Sequence, residues 1–341
     1  MYPISFGSDN HSGIDSRVLE AMIKANEGYC SAYGDDELTQ AVLAEIKKLF
    51  GGNCDAWLVI TGTGANVLSL QALIKPYHAV ICAATAHINV DECGAVQKNT
   101  QARLLPIETK DGKLTPALIA PKLIGDRDQH HSVPKVISIS QSTEYGTLYS
   151  LSEIKALAEY AHSHNMLLHI DGARLANAAA ALCCTFKEMT ADLGADIVSL
   201  GGTKNGMLFG EAIISFVPEL THDMRFYRKQ ANQLFSKMRF IAAQFQAYLQ
   251  DELWRSNALH ANKMAKLLAR KLEGLPGVIV TQEVAVNALF VILPEHMIAY
   301  LQEKYHFYTW DETRFEARLM CSFNTTEAHL DELVSTIKAM L

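Results

Sequence analysis

The sequence predicts an α/β protein: a three-layer domain built on a mostly parallel sheet, followed by a smaller C-terminal α+β domain. Three observations carry this reading. Short apolar runs alternate with helical stretches from residue 57 to about residue 217. Several of those runs are continuous rather than alternating, as expected for strands covered on both faces by helices. Beyond Pro218 the pattern turns almost wholly helical until Val278, where short strands return, which suits a second domain joined through a long helix. Strands are expected at Trp57–Ile60, Ala79–Cys82, Arg103–Ile107, Lys135–Ser140, Leu167–Ile170, Ile197–Leu200 and Ala212–Val217 in the first domain. The second should hold Val278–Thr281, Leu289–Leu293, Phe307–Trp310 and Leu319–Phe323, with helices at 295–304 and 326–340. The boundary is placed near residue 245, giving units 1–245 and 246–341, and at roughly 150 residues per domain the chain has room for two. With no repeat, low-complexity tract or flexible linker, the two should be packed together.

Ahead of the first strand, Ser16 reads as the cap of a short amphipathic helix through Val18, Leu19, Met22 and Ile23. The acidic turn Tyr33-Gly34-Asp35-Asp36 then leads into a helical stripe from Leu38 to Phe50, stopped by Gly51 and Gly52. Composition sets further bounds. At 49% hydrophobic and 20% charged residues the chain is ordinary globular material. Its formal charge of -7 removes the electrostatic case for nucleic acid or an anionic membrane surface as partner. Residues 1–13 lack the basic and apolar regions of a leader, and no apolar run reaches the roughly 18 residues of a span. Seven cysteines without a CxxC pair argue against a disulfide framework or a zinc knuckle, so a cytoplasmic protein without a metal is expected.

Four strand ends could carry chemistry. Thr61-Gly62-Thr63-Gly64-Ala65-Asn66 lies between a strand and a helix, where free N–H groups can hold a phosphate against the helix dipole. The dinucleotide fingerprint fails there, because its third glycine would fall at Val67; plain structural punctuation is the rival reading. His169-Ile170-Asp171-Gly172-Ala173-Arg174 places a carboxylate at the carboxyl edge of the sheet, where α/β proteins bind ligands, although Asp171 and Arg174 could equally pair with each other. Lys204 sits in the glycine-crowded turn Gly201-Gly202-Thr203-Lys204-Asn205-Gly206. His87 follows the strand at 79–82 and could stack on a ring and move a proton near neutral pH. Together, a phosphate cradle, a strand-end aspartate and a later lysine meet the needs of pyridoxal phosphate. The lysine forms the Schiff base, the aspartate keeps the pyridine nitrogen protonated, and the helix start holds the phosphate.

Over nearly its full length the chain resembles the low-specificity threonine aldolases, β-eliminating lyase relatives within the aspartate aminotransferase fold type of pyridoxal phosphate enzymes. The resemblance runs through Ser8-Asp9, residues 33–36, residues 61–66, Ala86-His87 with Glu92 and Gly94, residues 171–174, Lys204 and Arg318. The segments 87–94, 202–206 and 236–240 look most like the branch that includes phenylserine aldolases. Carried over by position, the resemblance makes Lys204 the Schiff-base lysine, Asp171 the pyridinium partner, His87 the ring-stacking histidine and Gly62, Thr63 and Gly64 the phosphate loop. Ser8, Arg174 and Arg318 match residues that hold the substrate carboxylate, for which a bidentate guanidinium is the natural clamp. Lys229 and Arg239 resemble a basic pair that approaches the cofactor phosphate across a subunit interface, here at a longer spacing. Tyr33 could add an apolar wall to the substrate site.

Many members carry a histidine, suggested as the general base, where this chain has Glu144. An exposed glutamate titrates near 4.3, too low for that task unless burial raises it, so the base is expected to be His87, with Glu144 the competing candidate. The activity implied is cleavage of threonine, allo-threonine and phenylserine-type substrates to glycine and an aldehyde. A β-eliminating lyase or an aminotransferase would share the lysine and the aspartate, and a catalytically silent scaffold is the rival from another class. The family's habit implies a homodimer or homotetramer with shared active sites, acting on a small amino acid.

Overall fold

Eleven strands in two sheets organise the computed structural model, which describes residues 4–123 and 128–341. The first sheet comprises β1 (Asp55–Val59), β2 (His78–Ala83), β3 (Arg103–Ile107), β4 (Val133–Ser140), β5 (Leu167–Asp171), β6 (Ile197–Gly201) and β7 (Glu211–Ser215). Their spatial order is β1-β7-β6-β5-β4-β2-β3. Strands β2 to β6 run parallel, and only β7 opposes its neighbours β1 and β6. Connection length accounts for the difference. Helices such as Leu151–Ser163 and Leu175–Leu182 supply the crossovers that parallel pairing requires, whereas the turn from β6 to β7 is too short for one. The interior strands β6 and β7 are buried throughout, including their polar residues Ser199, Glu211 and Ser215. The edge strand β3 tolerates Pro106 because no partner needs its N–H on that side.

The expected strands all form, with small shifts at their ends. The stretch at Val278–Thr281 shrinks to β8 (Ile279–Val280), because only two residues there find ladder partners on β9 (Ala288–Ile292). The strand expected at Leu319–Phe323 is β11 (Glu316–Met320), set by its antiparallel register with β9. The first helix, Ser16–Ala25, is capped by Asp15 and not by Ser16: the Asp15 carboxylate accepts the Arg17 N–H at 3.0 Å. A carboxylate one residue earlier meets both the free N–H groups and the positive end of the helix.

The second sheet is antiparallel, ordered β10-β11-β9-β8, with β10 at Tyr308–Asp311. Alternation along its strands divides two environments. Leu289, Val291, Ala317 and Leu319 enter a core with Met264, Leu268, Leu272, Leu330 and Leu333. Ala288, Phe290 and Met320 pack on the other face with Trp310 and with Tyr145 of the first domain. Arg318 pairs with Phe290 across the ladder and so lies on that second face, toward the first domain. The helix Leu253–Leu272 belongs to both cores, with Leu253, Trp254 and Ala258 in the first and Met264 to Leu272 in the second. Ile4 and Phe6 also join the second core, and the Met320 N–H donates to the Phe6 carbonyl at 2.7 Å. That anchor delivers the next residues, Ser8 and Asp9, to the junction of the two domains.

Candidate active site

Five strand ends converge at one edge of the first sheet. Since β1 opposes β7 and β7 opposes β6, β1 points the same way as the parallel strands, and its carboxyl end joins theirs. The recess formed there is lined by Gly62, Thr63, Asn66, His87, Glu144, Asp171, Arg174 and Lys204, together with Glu92, Ser140, Ser142 and Ala173. Close backbone approach draws its parts together: a Cβ on Gly172 would lie 1.9 Å from the Ser199 carbonyl oxygen, so only glycine lets the end of β5 press against β6.

After β1, the helix Gly62–Leu73 begins at Thr61, whose hydroxyl accepts the Gly64 N–H at 3.0 Å. Gly62 and Thr63 keep N–H groups with no partner among the described residues, which makes them the anion-ready part of the loop. Gly64 has a different duty. A Cβ there would meet the Gln233 carboxamide at 2.3 Å, and the Gln233 oxygen accepts from the N–H groups of Ile60 at 3.0 Å and Thr61 at 3.4 Å. Gly64→Ala is expected to push Gln233 away and orphan those donors, lowering stability by about 1–3 kcal/mol in urea unfolding.

Asp171 is buried, and its carboxylate accepts from Asn66 Nδ2 at 2.8 Å and from the Ala173 N–H at 3.0 Å. Burial pushes its pKa up, but these hydrogen bonds and the His169 and Lys204 charges outweigh burial and hold it below the ordinary carboxylate value. Asp171 does not pair with Arg174. The Arg174 Nε and Nη2 donate to the two Asp9 oxygens at 2.8 and 2.9 Å, and Asn287 Nδ2 donates to Asp9 at 3.1 Å. One edge of the expected guanidinium fork is therefore already committed, and Nη1 makes no hydrogen bond among the described residues, in a side chain that lines the recess. Desolvation and the nearby Arg174 charge lower the Lys204 pKa against the pull of Asp9, Asp171 and Glu211, as suits an amine that must lose its proton.

His87 Nδ1 lies 2.9 Å from Glu92 Oε1, and the His87 backbone N–H donates to Glu144 Oε1 at 3.0 Å. Glu144 also accepts from the Ser140 hydroxyl at 2.7 Å. The sequence left open whether burial raises the Glu144 pKa; in the structure Glu144 is part-buried in the recess lining, and desolvation raises its pKa. The hydrogen bond to Glu92 outweighs burial at His87 and raises its pKa above the usual histidine value.

The remaining expected residues lie outside this lining. Ser8 caps the short turn Asp9–His11 and accepts the Asn10 N–H at 3.1 Å. Arg318 stacks on Trp310 at 5.0 Å, with Arg174 and Asp9 near enough to bias its charge, and its buried Nε has no partner among the described residues. Lys229 sits 4.8 Å above the ring of Tyr33, itself half exposed, and Arg239 donates to the carbonyls of Glu27 and Gly28 at 3.4 and 3.2 Å. Sequence reasoning assigned no role to Asp9, Asn66, Glu92, Gln233 or Glu211. Asp9, Asn66 and Glu92 stood inside the quoted motifs, but nothing in a linear sequence shows that they are buried against the key side chains.

Glu211, on β7 beside the lysine turn, accepts from the Thr203 hydroxyl at 2.8 Å, and burial pushes its pKa up to about 7. A carboxyl group whose folded pKa is raised contributes stability below its unfolded value near 4.5 and loses it as pH climbs through 7. Glu211→Gln is expected to gain on the order of 2–3 kcal/mol over the parent between pH 5 and pH 8, read from melting curves of the apoprotein across that range.

What such a recess can hold is narrowly defined. The free N–H groups of Gly62 and Thr63 suit a phosphate, the carboxylate of Asp171 suits a protonated ring nitrogen, and Lys204 suits an aldehyde. Asn66, Glu92 and Ser142, residues of the same lining, each keep a buried polar atom with no partner among the described residues, Oδ1, Oε2 and Oγ respectively. These features fit pyridoxal phosphate, so fold and site together define a pyridoxal phosphate enzyme of the aspartate aminotransferase fold type.

The family model described as beta-eliminating lyase matches residues 5–296. The low specificity L-threonine aldolase of Pseudomonas sp. (strain NCIMB 10558) is 41% identical over 338 residues, covering 98% of this chain and 97% of the relative. The low specificity L-threonine aldolase of Pseudomonas aeruginosa shows the same identity and coverage. The solved threonine aldolase of Leishmania major superposes with a TM-score of 0.93 at 30% identity over 99% of each chain. The chain belongs to the low-specificity L-threonine aldolase family of beta-eliminating lyases, and it is a carbon–carbon lyase that uses pyridoxal phosphate.

Proposed function

We propose that the enzyme cleaves β-hydroxy-α-amino acids of the threonine, allo-threonine and phenylserine type to glycine and an aldehyde. The observation that carries this is the meeting of Lys204, Asp171, His87 and Arg174 in one recess. The cofactor, when bound, supplies the electron sink that makes the Cα–Cβ bond labile. Lys204 tethers it, Asp171 holds its ring nitrogen, and Gly62 and Thr63 take its phosphate. The free side of Arg174, with Arg318 and Ser8, receives the substrate carboxylate and thereby orients the Cα–Cβ bond. His87 then takes the proton of the β-hydroxyl as that bond breaks.

Lys229, Arg239 and Tyr33 complete the site of a second subunit in this reading. Two features support it: none of the three lines the recess of its own chain, and Leu19, Ile23, Tyr29 and Tyr33 leave large apolar side chains exposed between residues 19 and 33. Light scattering should find a dimer or larger, and a fully active monomer would defeat the assignment. The seven free cysteines support a cytoplasmic location.

An aldehyde-release assay over threonine, allo-threonine and phenylserine tests the activity. All three should be cleaved, with glycine formed in the absence of any 2-oxo acid acceptor. An apolar wall discriminates by only about 1–3 kcal/mol per methylene, so activity confined to threonine would contradict the breadth proposed. Release of ammonia in place of glycine would contradict the reaction itself.

A further inference from the structure

We propose that Glu92 is a positioning residue for the cleavage reaction: it fixes the tautomer of His87 and, through Asn66, locks that histidine and Asp171 into one hydrogen-bonded unit. The inference rests on the reading of His87 as the base. Glu92 has a fully buried side chain, and its Oε1 receives two contacts, His87 Nδ1 at 2.9 Å and Asn66 Nδ2 at 2.8 Å. The same Asn66 nitrogen reaches Asp171 Oδ2 at 2.8 Å. The chemistry of the groups assigns every proton along this chain. Asn66 faces two carboxylates, so its NH2 group, with two hydrogens, must be the end turned toward them, and both hydrogens are used. A carboxylate oxygen can only accept from the imidazole, so the ring proton sits on Nδ1. Nε2 is left with its lone pair, and it is the atom able to take a proton from a substrate.

The sequence places Glu92 well for this. His87 opens the one-turn helix His87–Val90, and the chain turns back through Asp91, so a residue five positions on returns to the same imidazole. Once Nε2 gains a proton, the imidazolium keeps Glu92 beside it as a buried counter-charge. The other charged groups facing His87 are Asp171 at the end of β5 and Lys204 in the turn after β6, and they act in opposite senses. Glu144, from the turn after β4, meets the His87 backbone N–H and not its ring.

The test compares Glu92→Leu, Glu92→Gln and His87→Asn in the holoenzyme, with selective 15N-histidine spectra of the apoprotein as a second readout. His87→Asn identifies the His87 resonances. In the parent these should show a protonated Nδ1 and an unprotonated Nε2, and Glu92→Leu should lose that preference. Glu92→Leu should lower kcat about 100-fold with KM changed less than about threefold. Glu92→Gln, which keeps the shape and an accepting oxygen, should recover part of kcat while moving the acid limb of the kcat profile to lower pH, because the imidazolium has lost its counter-charge. A purely structural Glu92 would leave the limb and the tautomer in place in the isosteric variant. Unchanged 15N shifts in Glu92→Leu, or an unmoved acid limb in Glu92→Gln, overturn the inference. If His87→Asn itself retains cleavage, the reading of His87 as base fails instead, and the two failures are thereby told apart.

Discussion

Lys204→Ala is expected to reduce aldehyde release by on the order of a thousandfold or more and to leave a folded protein that binds pyridoxal phosphate only reversibly. Lys204 lies in the turn between two fully buried strands, and its amine is held near Asp9, Asp171 and Glu211 while burial and Arg174 favour the neutral form. Among the described residues no other lysine lines the recess. Removing it takes away the covalent tether but leaves the turn itself in place, since the turn is held by other bonds, the Asn205 N–H to the Gly202 carbonyl and Asn205 Nδ2 to the Trp254 carbonyl at 2.8 Å. Borohydride treatment followed by peptide mass mapping should place the pyridoxyl label on the peptide that contains Lys204. A label on any other lysine would overturn the assignment.

His87→Asn is expected to lower kcat by about 100 to 10,000-fold, the usual worth of a general base, while the cofactor is still taken up. Glu144→Gln should have a much smaller effect. Burial raises the Glu144 pKa and so removes the simplest objection to it as a base, but its Oε1 is already the acceptor for Ser140 and for the His87 N–H. A glutamine oxygen can accept both bonds, so the substitution preserves what the geometry shows Glu144 doing. The base must be neutral to act, and the His87 pKa lies above the ordinary histidine value. The rate in the parent should therefore fall as pH drops through that raised pKa, and His87→Asn should lose this limb. Abolished cleavage in Glu144→Gln, with most of it kept in His87→Asn, would assign the proton to the glutamate.

Much of the architecture and several of the key residues were legible in the chain because they depend on local patterns. Continuous apolar runs such as Ala79–Cys82 follow from strands buried on both faces. Glycine and threonine at a strand-to-helix junction announced the loop at 61–64, and strand ends announced Asp171 and Lys204, because open α/β sheets gather ligands at that edge. Ser16 was a near miss of the same local kind: a polar residue before an apolar stripe marks a helix start, but pattern alone does not say which of two adjacent residues turns its side chain back to the free N–H groups.

By itself, then, the sequence determined the class of fold, the edge of the sheet where chemistry would lie and the residue types available there, since each of these follows from periodicity and from motifs only a few residues long. Tertiary structure decided the pairings. Arg174 joins Asp9, which lies 165 residues away in the chain, rather than its near neighbour Asp171; Asn66 spans Glu92 and Asp171; and Gln233 covers Gly64. It also decided that Glu144 is part-buried in the recess and that Arg318 faces the first domain. The physical reason is common to all of them. A side chain's partner and its protonation depend on what other segments remove water from it and place a charge within about 3 Å, and no local pattern carries that information until the strands have taken their order in the sheet.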